Sequence, residues 1–96
     1  MRKIIRGVRY DTEKARLVGQ ASCCCWDAWL FCARRSGRYF LFGEGGPMSR
    51  FAQSAGRNVL KGGRDIIPLS REEALRWARE YLEPNEIGAE FGESAD

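Results

Sequence analysis

The sequence predicts an α+β domain in which an antiparallel β-sheet of about four to five short strands packs against a C-terminal α-helix. Three observations predict it. Trp26–Arg34 and Arg38–Phe42 are rich in β-forming residues and are separated by Arg35-Ser36-Gly37, the signature of a hairpin. Ser70-Arg71-Glu72-Glu73 matches the S-x-x-E capping box ahead of a helical apolar stripe. A chain of 96 residues supplies one core and not two, so residues 1–96 form a single domain.

The elements follow in chain order. Lys3–Tyr10 carries β-branched residues around Gly7 and reads as a strand pair or a bulged strand. Tyr10-Asp11-Thr12 offers capping side chains for a turn or a single helical turn, and Ala15–Ser22 follows as a short strand. On Trp26–Arg34, period two puts Trp26, Ala28, Leu30 and Cys32 on one face and Asp27, Trp29, Phe31 and Ala33 on the other. The return strand gives Tyr39 and Leu41 to one face and Arg38, Phe40 and Phe42 to the other. Both faces are therefore apolar. A helix covers one, and the second needs a loop, a dimer mate or a ligand.

Gly43-Glu44-Gly45-Gly46-Pro47 is expected to end the strand as a loop, with Met48–Ala55 returning from it on Phe51 as an anchor. Asn58–Gly63 is turn-rich, and Asp65–Leu69 is a short strand whose Pro68 marks an edge or a terminus. The capped helix packs through Ala74, Leu75, Ala78, Tyr81 and Leu82 and stops at Pro84. Pro84–Phe91 forms one more turn docked by Ile87 and Phe91, and Gly92–Asp96 is expected to fray.

Composition narrows the chemistry. No apolar run approaches the roughly 18–20 residues that span a bilayer. The start MRKIIRGVRY is basic but lacks the apolar centre of a secretory signal, so a cytoplasmic protein is expected. Cys23, Cys24, Cys25 and Cys32 do not have the spacing of a disulfide framework or of paired zinc knuckles, so reduced thiols are expected and no metal. Charge is divided. Residues 1–70 hold 13 Lys/Arg against 5 Asp/Glu, whereas residues 71–96 hold 3 against 8, for an overall +3. A basic body and an acidic tail either attract opposite partners or partly neutralise each other.

The chain has no histidine, which removes the commonest general base and excludes Ser-His-Asp and Cys-His arrangements within it. Asp11, Asp27 and Glu44 occur singly and read as a cap, a strand position and a loop charge rather than a paired acid and base. The glycines at 43, 45 and 46 lack the GK[ST] ending of a phosphate loop and read as a turn. Neither an enzyme nor a cofactor is expected. The remaining constellation is basic and aromatic: Trp29, Phe31, Arg34, Arg35, Arg38 and Phe40, on or beside one hairpin. Rings and arginine forks suit a protein interface, and they equally suit stacking on bases and gripping phosphates. The plainer alternative makes one aromatic row core and leaves the arginines solvated.

Three blocks, KIIRGVRYDTEKA at 3–15, GRYFLFGEGGPMSRF at 37–51 and IIPLSREEALRWAREYL at 66–82, resemble small accessory proteins of bacterial plasmids, conjugative elements and prophages. They cover about half the chain, and Cys23–Cys25 is a departure from them. The resemblance implies a stoichiometric inhibitor of a host defence complex, with anti-CRISPR activity against a CRISPR-Cas effector as the leading instance. The partner is then a protein complex bound through Trp29, Phe31, Arg34, Arg35, Arg38 and Phe40. A small basic nucleic-acid-binding protein is the alternative, and self-association as a homodimer through the spare face is compatible with either.

Overall fold

A computed structural model of the chain describes residues 1–46 and 62–92, together with the backbone of 53–56 and 59–61. The expected anchor Phe51 and the end of the expected frayed tail, 93–96, lie outside the described residues. The centre is a four-stranded antiparallel meander of β3 (Ala15–Cys23), β4 (Trp26–Ala33), β5 (Tyr39–Gly45) and β8 (Gly63–Leu69), in that spatial order. A hairpin of β1 (Arg2–Ile5) and β2 (Val8–Asp11) precedes it, and a ribbon of β6 (Gln53–Gly56) and β7 (Val59–Lys61) lies between β5 and β8 in sequence. Helices α1 (Arg71–Tyr81) and α2 (Pro84–Phe91) complete the α+β fold.

Local chemistry accounts for the turns. In the β1–β2 loop both central residues have positive φ, Arg6 at 52° and Gly7 at 79°, which is what a two-residue loop needs to follow the strand twist. The Asp11 side chain accepts from Glu13 N–H at 3.0 Å and caps a single 3-10 turn, Thr12–Lys14. Between β4 and β5, Gly37 takes φ 72° and donates to the Ala33 carbonyl at 2.9 Å, closing one turn of helix.

The alternation predicted for β4 and β5 holds through the whole sheet. Leu30 and Leu41 face each other on one side, and Phe31 and Phe40 on the other. The first side packs against both helices, burying Ala28, Leu30, Cys32, Tyr39 and Leu41 with Ala74, Trp77, Ala78, Leu82 and Phe91. A bulge in β3 between Leu17 and Gly19 keeps Val18 and Gly19 toward this side. Leu82, the C-cap of α1, comes so close there that a Cβ on Gly19 would lie 2.6 Å from its Cδ2.

Three expectations need correction. The glycine segment does not end the strand, because Gly43, Glu44 and Gly45 pair with Ala28, Asp27 and Trp26 on one flank and with Asp65, Arg64 and Gly63 on the other. Ladder bonds to both neighbours outweigh the weak strand propensity of glycine. The packing stripe of α1 is rotated: Trp77, absent from the expected set, is 8% exposed, while Tyr81 is 40% exposed. An i, i+3, i+4 set of Ala74, Trp77 and Ala78 places the large indole inward and leaves Tyr81 at the boundary, edge-on to Trp26 at 5.3 Å. The spare sheet face is partly covered by the chain itself, since Tyr10 of the N-terminal hairpin packs with Ala15, Phe40 and Ile66. Other expectations hold: the capping box at Ser70 is formed reciprocally with Glu73, and Pro68 lies on an edge strand.

One polar cluster joins α2 to the sheet. Arg16 forms a bidentate pair with Glu90, whose side chain is 8% exposed, and Tyr39 Oη donates to Glu90 Oε2 at 2.6 Å. The Arg16 guanidinium, helped by the Tyr39 hydroxyl, holds the Glu90 carboxyl below the usual carboxylate range against the opposing effect of burial. Burial and the same carboxylate push the Tyr39 phenol well above its usual range. A depressed folded-state pKa gives stability that is fully present above the ordinary carboxylate range and is lost as pH falls through the folded value. Glu90→Gln is expected to cost about 1–2 kcal/mol at pH 7 in urea denaturation, discounted for the exposure of Arg16. The gap between the two proteins should narrow as pH falls below about 4; an unchanged gap would contradict the assignment.

Candidate binding surface

The second sheet face is aromatic along most of β4 and β5. Trp29 stacks on Phe42 with centroids 5.6 Å apart and planes 24° apart, and Phe31 stacks on Phe40 at 5.5 Å and 15°. Cross-strand pairing brings these rings together, Trp29 opposite Phe42 and Phe31 opposite Phe40. Tyr10 meets Phe40 edge-on at 5.5 Å and closes over it.

The six residues expected to form one site therefore divide. Phe40 is 0% exposed, so it belongs to the core and cannot touch a partner, because the β1–β2 hairpin seals that end of the face. Phe31 is half-buried at the edge of this cover. Trp29 is half-buried farther from this cover and continues into Phe42, while Leu17 of the edge strand β3, 52% exposed, lies opposite Phe31. Arg34, Arg35 and Arg38 are exposed, but they occupy the β4–β5 turn. Trp29 is four residues from the end of β4 at Ala33, about 13 Å away at the rise of a strand. The arginines do not rim the Trp29 strip. They lie instead beside the 3-10 turn Thr12–Lys14, where Arg34 N–H reaches the Lys14 carbonyl at 3.4 Å. Leu17 was the member that sequence reasoning missed; the bulge that sets its direction leaves no local signal.

At the opposite end of the sheet, Cys24 and Cys25 form the β3–β4 turn, with Cys23 closing β3. With Asp27, Glu44 and Arg64 they border an open concavity of about 590 Å³ floored by glycine backbone. Gly46 N–H donates to the Cys25 carbonyl at 2.8 Å, and a Cβ on Gly62 would lie 2.8 Å from the Gly45 carbonyl oxygen. Both carboxylates are engaged: Ser22 Oγ donates to Asp27 at 2.5 Å, and Arg64 lies 3.6 Å from Glu44. Among the described residues no three Cys, Asp or Glu side chains converge as metal ligands would. No helix among them is long and apolar enough to cross a membrane.

Cys32 is different from the other thiols. It is 7% exposed behind the sheet, and burial followed by the Glu90 charge pushes its pKa up. Ellman titration of the native protein should count the three exposed thiols, with the fourth appearing only on unfolding. Four equally fast thiols would place Cys32 outside the core. Burial also separates the rings: Phe40→Ala should cost about 3–5 kcal/mol in chemical denaturation, and Trp29→Ala less than half of that.

No family model, curated protein or solved structure matches this chain.

Proposed function

We propose that this protein is a non-enzymatic, cytoplasmic inhibitor from a phage or mobile element that binds a host defence complex, a CRISPR-Cas effector, and occludes it. The observation that carries the binding reading is the half-buried stacked pair Trp29 and Phe42 on the face opposite the helices, with the exposed Leu17 of the edge strand β3 one row along, opposite Phe31. A rigid sheet presenting a Trp and a Phe loses little side-chain entropy on association, and such rings dominate interface energetics. The choice of target rests on the resemblance of the blocks at 3–15, 37–51 and 66–82 to accessory proteins of mobile elements.

A second reading, a basic nucleic-acid-binding protein, is favoured by one observation. Arg9, Lys14, Arg34, Arg35 and Arg38 have no ion-pair partner among the described residues and gather at the β4–β5 end of the sheet. Phosphate contacts by such a cluster would make affinity fall with a slope of about −0.7 to −0.9 per contact in a plot of log K against log salt.

Size-exclusion chromatography with purified effector ribonucleoproteins separates the two. The inhibitor reading expects co-elution and loss of target cleavage, with Trp29→Ala and Arg38→Ala each weakening the complex. A mobility shift of free nucleic acid at low salt, with no effector complex formed, would establish the second reading instead. A complex indifferent to both substitutions would move the contact surface elsewhere.

A further inference from the structure

The unpaired cations do more than decorate a turn. Arg9 of β2, Lys14 of the 3-10 turn and Arg35 of the β4–β5 turn stand around a cleft of about 260 Å³ whose floor is Val8 and Ala33. Three separate segments build it, and it is held by main-chain bonds, Arg34 N–H to Lys14 O and Ala33 N–H to Arg38 O at 2.8 Å. Asp11 is the one carboxylate in the lining, and it already accepts from Glu13 N–H at 3.0 Å. Arg34 and Arg38, exposed in the same β4–β5 turn, add positive charge nearby. A site with an apolar floor and a rim of three cations against one carboxylate is complementary to a ligand that is itself apolar at its centre and anionic at its flanks.

We infer that this cleft binds an acidic peptide segment of the partner protein, seating an aliphatic side chain on Val8 and Ala33 between carboxylates held by Arg9, Lys14 and Arg35. The inference rests on the reading of the chain as a protein binder and names the chemistry of one contact. A nucleic acid fits less well. No ring lines the cleft to stack on a base, since Tyr10 is turned into the core, and the Asp11 carboxylate faces any phosphate placed there. An acidic segment tolerates Asp11 because its carboxylates can be spaced to the rim while its apolar side chain occupies the floor.

The probe is a fluorescein-labelled ten-residue peptide of alternating Glu and Leu, compared by anisotropy with its Gln/Leu counterpart and with a single-stranded ten-nucleotide DNA. The Glu/Leu peptide should bind with an affinity that falls as salt rises, and the Gln/Leu peptide should not. The double substitution Arg9→Ala with Arg35→Ala should weaken binding about tenfold, whereas Arg76→Ala, which removes one positive charge from the exposed side of α1, should leave it unchanged. Unaltered thermal unfolding of the double variant confirms that the fold is retained. DNA binding as tight as that of the acidic peptide, or peptide binding indifferent to Arg9 and Arg35, overturns the inference. Both outcomes are distinct from failure of the inhibitor reading: a protein that captures an effector complex but ignores the peptide loses only the cleft, and one that binds the peptide but no complex loses only its target.

Discussion

The constraint on which this structure depends is that the β4–β5 hairpin carries large apolar side chains on both of its faces. A sheet of this kind is stable in water only if each face is covered, and 96 residues cannot supply two full layers of helix. The chain divides the task unequally. Two helices take the Leu30–Leu41 side completely, while a two-stranded hairpin takes about half of the Phe31–Phe40 side. The consequence is an uneven second face. One end is core, sealed by Tyr10, while Trp29 and Phe42 beyond it and Leu17 on the edge strand β3 are left in reach of solvent.

Holding the covers in place falls to a few polar contacts at their margins. Glu90 ties α2 to β3 and β5 through Arg16 and Tyr39, and Arg71 donates to the Phe91 carbonyl at 3.1 Å while lying over its ring. On the other face, Lys3 pairs with Asp65 at 2.5 Å and fastens the N-terminal hairpin to the edge strand β8. The two pairs differ in worth. Lys3 and Asp65 are each about two-fifths exposed, so solvent screens them and they orient more than they stabilise. Glu90 is withdrawn from water, so removing its partners would leave a buried carboxylate uncompensated.

Much of this was legible in the sequence, and the reason is period. Alternation at 26–42 assigned each side chain of β4 and β5 to its face, and a single capping box fixed the start of α1 at Ser70. What periodicity could not supply was the occupant of the second face. Nothing in RKII or VRYD says that these strands fold back onto Phe40 rather than extend the sheet at its edge, because that choice is made by tertiary contact with Tyr10. The strand at Gly43–Gly45 was unreadable for a related reason: its glycines carry no side-chain signal, and its order comes from ladders on both flanks. The same limit applied to the candidate site. Phe40 and Trp29 lie on one face by alternation, yet one is sealed and the other is not. Arg9 and Lys14 join Arg35 only because the hairpin and the 3-10 turn fold toward the β4–β5 turn.

The separation of the aromatic strip from the cationic cleft shapes what a partner must look like. Both include β4, through Trp29 and Ala33, so the distance between them along that strand is fixed by covalent geometry. A partner that engages both must span about half of β4, roughly 13 Å from Trp29 to Ala33, with an apolar patch at one end and carboxylates at the other. The two contacts would act on different steps. Charge at the rim of an interface acts mainly on the rate of encounter and its salt dependence, whereas desolvated rings act mainly on the lifetime of the complex. Sites this far apart, with no shared side chain, contribute to binding nearly additively. Strong coupling between Trp29 and Arg35 in a double-mutant cycle would therefore mean that the partner, not this sheet, is the element that changes shape.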